Sequence, residues 1–245
     1  MKHYVSAKEH YNNLLGSIYS WMTGNFEENT NKFKKFLTEN DVKPHGNKIA
    51  IDLGAGHGIQ SIPLAELGFN VVAIDFNQNL LDELKINSRG LPITIIDGDI
   101  RRITDNGTVP ELILCCGDTL SHLESKQELE TFILDLSRTL AGNGKLILSF
   151  RDYATLLTGP ARVIPVASND KRILTCILDY EKDFVNVTDL LHESVNSQWT
   201  TSVSTYRKIR LNTLDILDLL RLGELTVTFN NVTGGLTTII ATKPG

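Results

Sequence analysis

Cysteine is scarce in this 245-residue chain, with three in all, and methionine and tryptophan are scarcer still, with two each. Cys115 and Cys116 adjoin inside an apolar run, Cys176 stands alone, and no C-x-x-C pair or histidine at ligand spacing accompanies them. That excludes a disulfide framework and a structural zinc site. No metal ligands are expected, and the three thiols read as reduced core groups of a cytoplasmic protein. Long apolar runs are missing too. None approaches the roughly 18 residues of a membrane span, and the opening MKHYVSAKEH lacks the apolar stretch of a signal peptide, so no membrane association is expected. Nor is there a surplus of positive charge: 24 Lys plus Arg stand against 29 Asp plus Glu, a formal balance of −5. Such a chain has no sequence-wide attraction for phosphate backbones, which makes nucleic acid an unpromising substrate.

What the chain does have is enough apolar content, 41% of residues, to bury an ordinary core. Its length suits one large α/β unit better than two independent folds, so a single domain over 1–245 is expected. Residues 1–44 read as a cover of two short helices. Tyr11, Leu14, Leu15 and Ile18 recur at helical spacing, Gly24 breaks the pattern, and Phe33, Phe36 and Leu37 form a second stripe. From Lys48 short apolar runs alternate with helical patterns. KIAIDL, FNVVAID, PITIID, ELILCC and KLILSF are predicted strands, and helices are predicted over 59–67 and from near Asn77. Ser125 and Glu128 have capping-box spacing ahead of a helix that carries Leu129, Phe132, Ile133, Leu136 and Leu140. A helix over 213–222 and two closing strands, LTVTFN and LTTIIATK, complete the series. This rhythm predicts an α/β fold with a doubly wound, Rossmann-like sheet, seven-stranded and mostly parallel, with helices on both faces.

Residues 160–211 break the rhythm. Four strand-like stretches, separated by turn signals such as Asn196-Ser197, predict an antiparallel β insertion that serves as a substrate lid. Alternation along the last stretch puts Trp199, Val203, Ile209 and Leu211 on one face, and Tyr206, Lys208 and Arg210 on the other.

The segment IDLGAGHG sets Gly54, Gly56 and Gly58 between the first strand and the first helix. Glycines there allow a tight turn and close approach of a ligand to the main chain. Asp75 ends the second strand 17 residues beyond Gly58, where a carboxylate can accept both ribose hydroxyls of an adenosine-containing cofactor. A dinucleotide fingerprint wants a small residue at position 59, and this chain has Ile59.

The G-x-G-x-G spacing, together with DGDI after the third strand, resembles the class I S-adenosylmethionine-dependent methyltransferases, and the likeness runs from Lys48 to Lys243. The resemblance implies S-adenosylmethionine as cofactor. By position, Asp52, Gly54, Ala55 and Gly56 would line its methionine part and Asp75 would hold its ribose. Phe76 would pack on the adenine, Asp99 would accept the exocyclic amine, and the amide of Ile100 would face a ring nitrogen. Cys116 and Gly117, after the fourth strand, are counted with them, and Tyr11, Tyr19 and Trp21 would fold over the cofactor.

The loop CCGDTLSHL lacks the Asn/Asp-Pro-Pro-aromatic motif of base-modifying relatives. With FRDY after the fifth strand it resembles glycine N-methyltransferase and related small-amine enzymes. Gly117, Thr119, His122, Arg151 and Tyr153 fall on matching or near-matching positions, whereas Asp118 stands where that family has asparagine. A carboxylate there repels a glycine carboxylate and attracts an ammonium. Arg151 offers a fork of donors for a carboxylate or phosphate, while Asp118, His122, Tyr153 and Tyr206 are the candidate bases. The expectation is methyl transfer to a small molecule, at the nitrogen of an amine that bears an anionic group. A small-molecule O-methyltransferase and a catalytically silent cofactor binder remain as alternatives, and self-association into a homo-oligomer is left open.

Overall fold

The computed structural model describes residues 4–107 and 109–245. The Ser6 hydroxyl accepts from the Glu9 N–H and the Glu9 carboxylate accepts from the Ser6 N–H, a complete capping box that starts α1 (Ala7–Asn13). A 3-10 turn (Leu15–Ser17), α2 (Tyr19–Thr23) and α3 (Phe26–Glu39) follow. The stripe predicted as one short helix is therefore two, bent at a turn. At Gly16 the backbone passes so close to Asn77 that a Cβ would stand 2.6 Å from its Oδ1, and a straight helix bearing a side chain there would collide with it.

The sheet strands are β1 (Ile49–Leu53), β2 (Asn70–Asp75), β3 (Ile93–Asp97), β4 (Leu112–Cys115) and β5 (Lys145–Phe150). Between them run α4 (Ser61–Glu66), α5 (Gln78–Asn87) and α6 (Lys126–Thr139). The insertion supplies β6 (Val163–Ser168), β7 (Arg172–Tyr180), β8 (Phe184–Val195) and β9 (Gln198–Ile209), and α7 (Thr213–Leu222), β10 (Thr226–Thr233) and β11 (Leu236–Thr242) close the chain. The large sheet has the order β10-β11-β5-β4-β1-β2-β3, with β11 antiparallel to both neighbours and the first five strands parallel. Seven strands, mostly parallel, is the architecture the sequence predicts.

Strand alternation divides the core in two. Ile51, Leu53, Ile113, Cys115, Leu146 and Leu148 pack against α6 and α7, while Ala50, Val71, Ala73, Leu112, Leu114 and Ile147 pack against α3, α4 and α5. Central strands apolar on both faces are what parallel sheets require. The Ser125 hydroxyl caps α6 by accepting from the Glu128 N–H at 3.1 Å, but the Glu128 carboxylate accepts from the Glu124 N–H and from Arg101. The expected capping box is thus half made, because a nearby guanidinium claims its second member.

In the insertion, β6-β7-β8-β9 form a separate antiparallel sheet. Asn196 and Ser197, with φ of 51° and 62°, make the two-residue reversal whose twist suits a hairpin. Leu174 and Leu191 pack against Leu14, Leu15 and Ile18, and Leu178, Val185, Val187 and Tyr206 pack around Tyr153. Val5 pairs with Tyr206 at the edge of β9, its N–H donating to the Thr205 carbonyl at 3.0 Å. The fully buried His10 bonds Ser204 Oγ at 2.8 Å and Asp189 Oδ2 at 3.0 Å and stacks on Tyr206 at 3.9 Å. The N-terminal segment is therefore bolted to the insertion. Residues 198–203 at the start of β9 are exposed on both faces, whereas Tyr206, Lys208 and Ile209 are buried, so Ile209 and Leu211 do not share the exposure of Trp199 and Val203 with which alternation groups them.

Candidate active site

Strand order reverses between β2 and β4 on either side of β1, and a crevice opens beyond the carboxyl ends of these strands, where α/β sheets bind ligands. It holds a cavity of about 620 Å³. Gly54 leaves β1 with φ +76°, and a Cβ on it would stand 2.5 Å from Thr119 Oγ1. Only glycine fits both constraints. Gly54→Ala should cost about 1–3 kcal/mol of stability through the strained φ and weaken cofactor binding at least tenfold by pushing Thr119 into the cavity; a thermal melt and a calorimetric titration read the two effects.

Asp75 Oδ2 accepts the Gly56 N–H and Oδ1 accepts the Asn77 N–H, both at 2.9 Å. Burial raises its pKa against those hydrogen bonds. Asp75 lines the cavity, and a carboxylate has acceptor capacity beyond these bonds for a pair of vicinal hydroxyls. Phe76 and Ile100 give the same wall an apolar patch, and Tyr11 meets Phe76 edge-on at 5.7 Å. Tyr19 closes the glycine end, reaching within 3.8 and 3.9 Å of where Cβ atoms on Gly56 and Gly117 would stand. Ribose hydroxyls, a purine and an amino-acid arm all find matching groups here, so the residues present fit S-adenosylmethionine.

Asp99 also faces the cavity, but its carboxylate is already held by Arg101 through Nε at 2.9 Å and through Nη2, which keeps it below the usual carboxylate range. Arg101 reaches on to Glu128 at 3.0 Å and Glu124 at 3.3 Å. Asp52 lies behind the glycine loop, buried, with Ser61 Oγ donating to it at 2.6 Å; burial pushes its pKa up to about 7. Ala55 is buried beside it and donates its N–H to the Ile74 carbonyl. Cys116 is buried as well, its Sγ turned to the Ile147 carbonyl, and burial raises its pKa to about 12. Trp21 joins the Leu14 cluster with Arg172 over its ring at 5.8 Å. Asp52, Ala55, Cys116 and Trp21 are therefore not on the cavity wall, in contrast to Tyr11, Tyr19, Gly54, Gly56 and Gly117.

Of Asp118, His122, Arg151, Tyr153 and Tyr206, His122 alone lines the cavity. Its Nδ1 is buried without a hydrogen-bond partner, and burial, reinforced by the Lys208 ammonium, pushes its pKa down to about 3. Asp118, at φ 72°, is not on the cavity wall that its neighbours Gly117 and Thr119 line. It accepts from the Arg151 N–H at 3.0 Å, from Tyr153 Oη at 3.3 Å and from Lys208 Nζ at 2.6 Å. Burial opposes its ionisation, yet Lys208 and these hydrogen bonds leave its pKa below the usual value. Burial raises the pKa of both the Tyr153 and Tyr206 phenols. The Arg151 side chain is exposed and reaches the turn at Gly235. Thr119, which the resemblance marked, lines the cavity; the residues the sequence did not mark as site candidates are Arg101 and Lys208, together with the cavity-lining Val5, Phe184 and Arg207. Arg207 is held there between the Tyr4 and Phe184 rings at 4.6 and 4.7 Å. Among the described residues no group of His, Cys, Asp and Glu is arranged to hold a metal ion, and no helix is long and apolar enough to cross a membrane.

A methyltransferase-domain family model matches residues 50–144. The glycine/sarcosine N-methyltransferase of Parasynechococcus marenigrum is 30% identical over 125 residues, 50% of this chain and 44% of that protein. The chain spans about half the length of the curated relatives it matches. Among solved structures, an S-adenosylmethionine-dependent methyltransferase from Clostridium acetobutylicum superposes with a TM-score of 0.72 at 18% identity, covering 97% of each chain. The S-adenosylmethionine-bound amino pentose methyltransferase of Micromonospora echinaspora gives 0.72 at 13% identity and 99% of each chain. Residues 50–144 thus match a methyltransferase domain, and with its glycine loop, its ribose-type carboxylate and this sheet order the chain shares the fold of the S-adenosylmethionine-dependent methyltransferases of known structure.

Proposed function

We propose that the protein methylates the nitrogen of a small amine that bears an anionic group. The observation that carries this reading is the basicity of the groups at the acceptor end. His122 is held near pKa 3, Asp118 is engaged by three donors, Tyr19 is pushed up to about 12, and the other phenols are raised as well. No group in this set exchanges a proton near neutrality. A hydroxyl acceptor needs such a base, whereas an uncharged amine brings its own lone pair. The relative from Parasynechococcus marenigrum is named for N-methylation, which agrees with this reading.

When bound, the cofactor supplies a methyl group activated on a sulfonium. The chain's own task is then alignment, which can lower a barrier by roughly 7–11 kcal/mol. Asp75 and the glycine loop fix one partner. Tyr11, Tyr19 and His122 shape the space the other enters, and the Lys208 ammonium disfavours a second cation, so the amine is held in its neutral form. The N-terminal helices and the insertion, in one domain over 1–245, act as the cover that excludes water. A balance of −5 keeps nucleic acid out of the substrate set, and free thiols fit a cytoplasmic setting.

With glycine and sarcosine as acceptors, kcat/KM should rise tenfold per pH unit toward the amine's own pKa. His122→Asn should keep the position of that inflection even where the overall rate falls. An inflection near neutrality that His122→Asn removes would show base catalysis and favour a hydroxyl acceptor.

A further inference from the structure

Between the insertion and the loop after β4 lies a buried ion pair that the cofactor site does not use. Lys208 Nζ donates to Asp118 Oδ2 at 2.6 Å, with side-chain exposures of 11% and 7%. The two ends of this pair are unequally satisfied. Asp118 has three donors, adding the Arg151 N–H and Tyr153 Oη to Lys208. The ammonium has three N–H bonds, and among the described residues Asp118 is its one acceptor. A buried ammonium with donors to spare is costly to keep.

The groups around it are donors as well. Lys208 Nζ stands 5.7 Å from the Tyr206 ring, and Tyr206 lies 5.7 Å from His122, which in turn meets Tyr11 at 5.7 Å on the cavity wall. Among the described residues His122 Nδ1 is buried without a hydrogen-bond partner, and the Tyr11 and Tyr206 rings bring their hydroxyls to the same place. The place therefore holds an ammonium with N–H bonds to spare and hydroxyls able to donate, against the single carboxylate of Asp118. The ion pair and Tyr206 lie behind the cavity wall, which at this point is made by Gly117, Thr119, His122 and Tyr11. The complement of such a place is an oxyanion. Arg151, the sequence candidate for that role, is exposed and directed to Gly235.

We propose that Lys208 is the anchor for a carboxylate on the methyl acceptor, with Asp118 as the positioning residue that holds the ammonium in place. This rests on the methyltransferase reading and supplies its anion site. The test is titration calorimetry on the protein saturated with S-adenosylhomocysteine, using glycine, sarcosine and 2-aminobenzoate, each beside its primary amide. At least one acid should bind about tenfold or more tightly than its amide, the size of a charge-assisted hydrogen bond. The double variant Asp118→Asn with Lys208→Met leaves no unpaired buried charge, and it should bring that ratio to about one. The proposal is overturned if no acid binds the wild-type protein, if acids and amides bind alike, or if the preference survives in the double variant, which would make the pair a structural tie. Failure of the wild-type protein to bind S-adenosylhomocysteine would instead overturn the methyltransferase reading, and this inference with it.

Discussion

Lys208→Met alone should cost the fold about 3–5 kcal/mol, because it strands the Asp118 carboxylate in a buried site. The double exchange Lys208→Met with Asp118→Asn should cost far less, since a neutral pair of similar volume has no charge to strand. Urea denaturation without cofactor, read as the shift in midpoint at constant slope, separates the two. The pH dependence adds an independent sign. In the wild-type protein the Asp118 pKa lies below its ordinary value, so its contribution is present above about pH 4 and is lost as pH falls through the folded value. Without the ammonium, burial is left to dominate and the pKa rises. The single variant should then be relatively most stable in acid and lose stability as pH climbs. Equal losses in the single and double variants would mean that the ion pair contributes packing alone.

Asp75→Asn should weaken S-adenosylmethionine binding about 100-fold or more. The carboxylate holds the Gly56 and Asn77 N–H groups with separate oxygens, and a hydrogen bond to a charged group is worth about 1.5–3 kcal/mol. An amide has one oxygen, so one backbone N–H would face an NH₂ group and the glycine loop would lose its tie to β2. The ribose hydroxyls would lose an acceptor in the same exchange. Calorimetry gives the affinity, and a thermal melt should show a smaller fall of about 1–3 kcal/mol. An affinity within a few-fold of wild type would remove Asp75 from the cofactor site.

The strands, the glycine loop and Asp75 were legible because their signals are local. Apolar runs of four to six residues mark buried parallel strands, and IDLGAGHG declares its turn within eight positions. The acceptor end was not legible, because its pairs are long-range. Lys208 and Asp118 are 90 residues apart, and Arg101 meets Glu128 across 27. Neither residue of such a pair carries a local mark of its partner. Alternation set Tyr206 and Lys208 apart from Trp199 and Val203 but grouped the buried Ile209 and Leu211 with that exposed pair, and the rule that polar faces point outward fails where a buried carboxylate waits for the lysine. For the same reason Arg151 looked like the anion ligand: its place after β5 is readable, whereas the outward course of its side chain depends on the distant turn at Gly235.

The bolting of His10 to Ser204 and Asp189 bears on how the chain is made. Its partners lie 194 and 179 residues downstream, so during synthesis α1 emerges long before anything exists for it to grip. Contacts of such separation form late, after the loop entropy between them has been spent. The β1–β5 half can assemble around its own helices while the ribosome is still working, but α1, made before it, is among the last to be fixed. Until β7 and β8 appear, Leu14, Leu15 and Ile18 lack the cover of Leu174 and Leu191, which makes this nascent segment the natural place for a chaperone to bind.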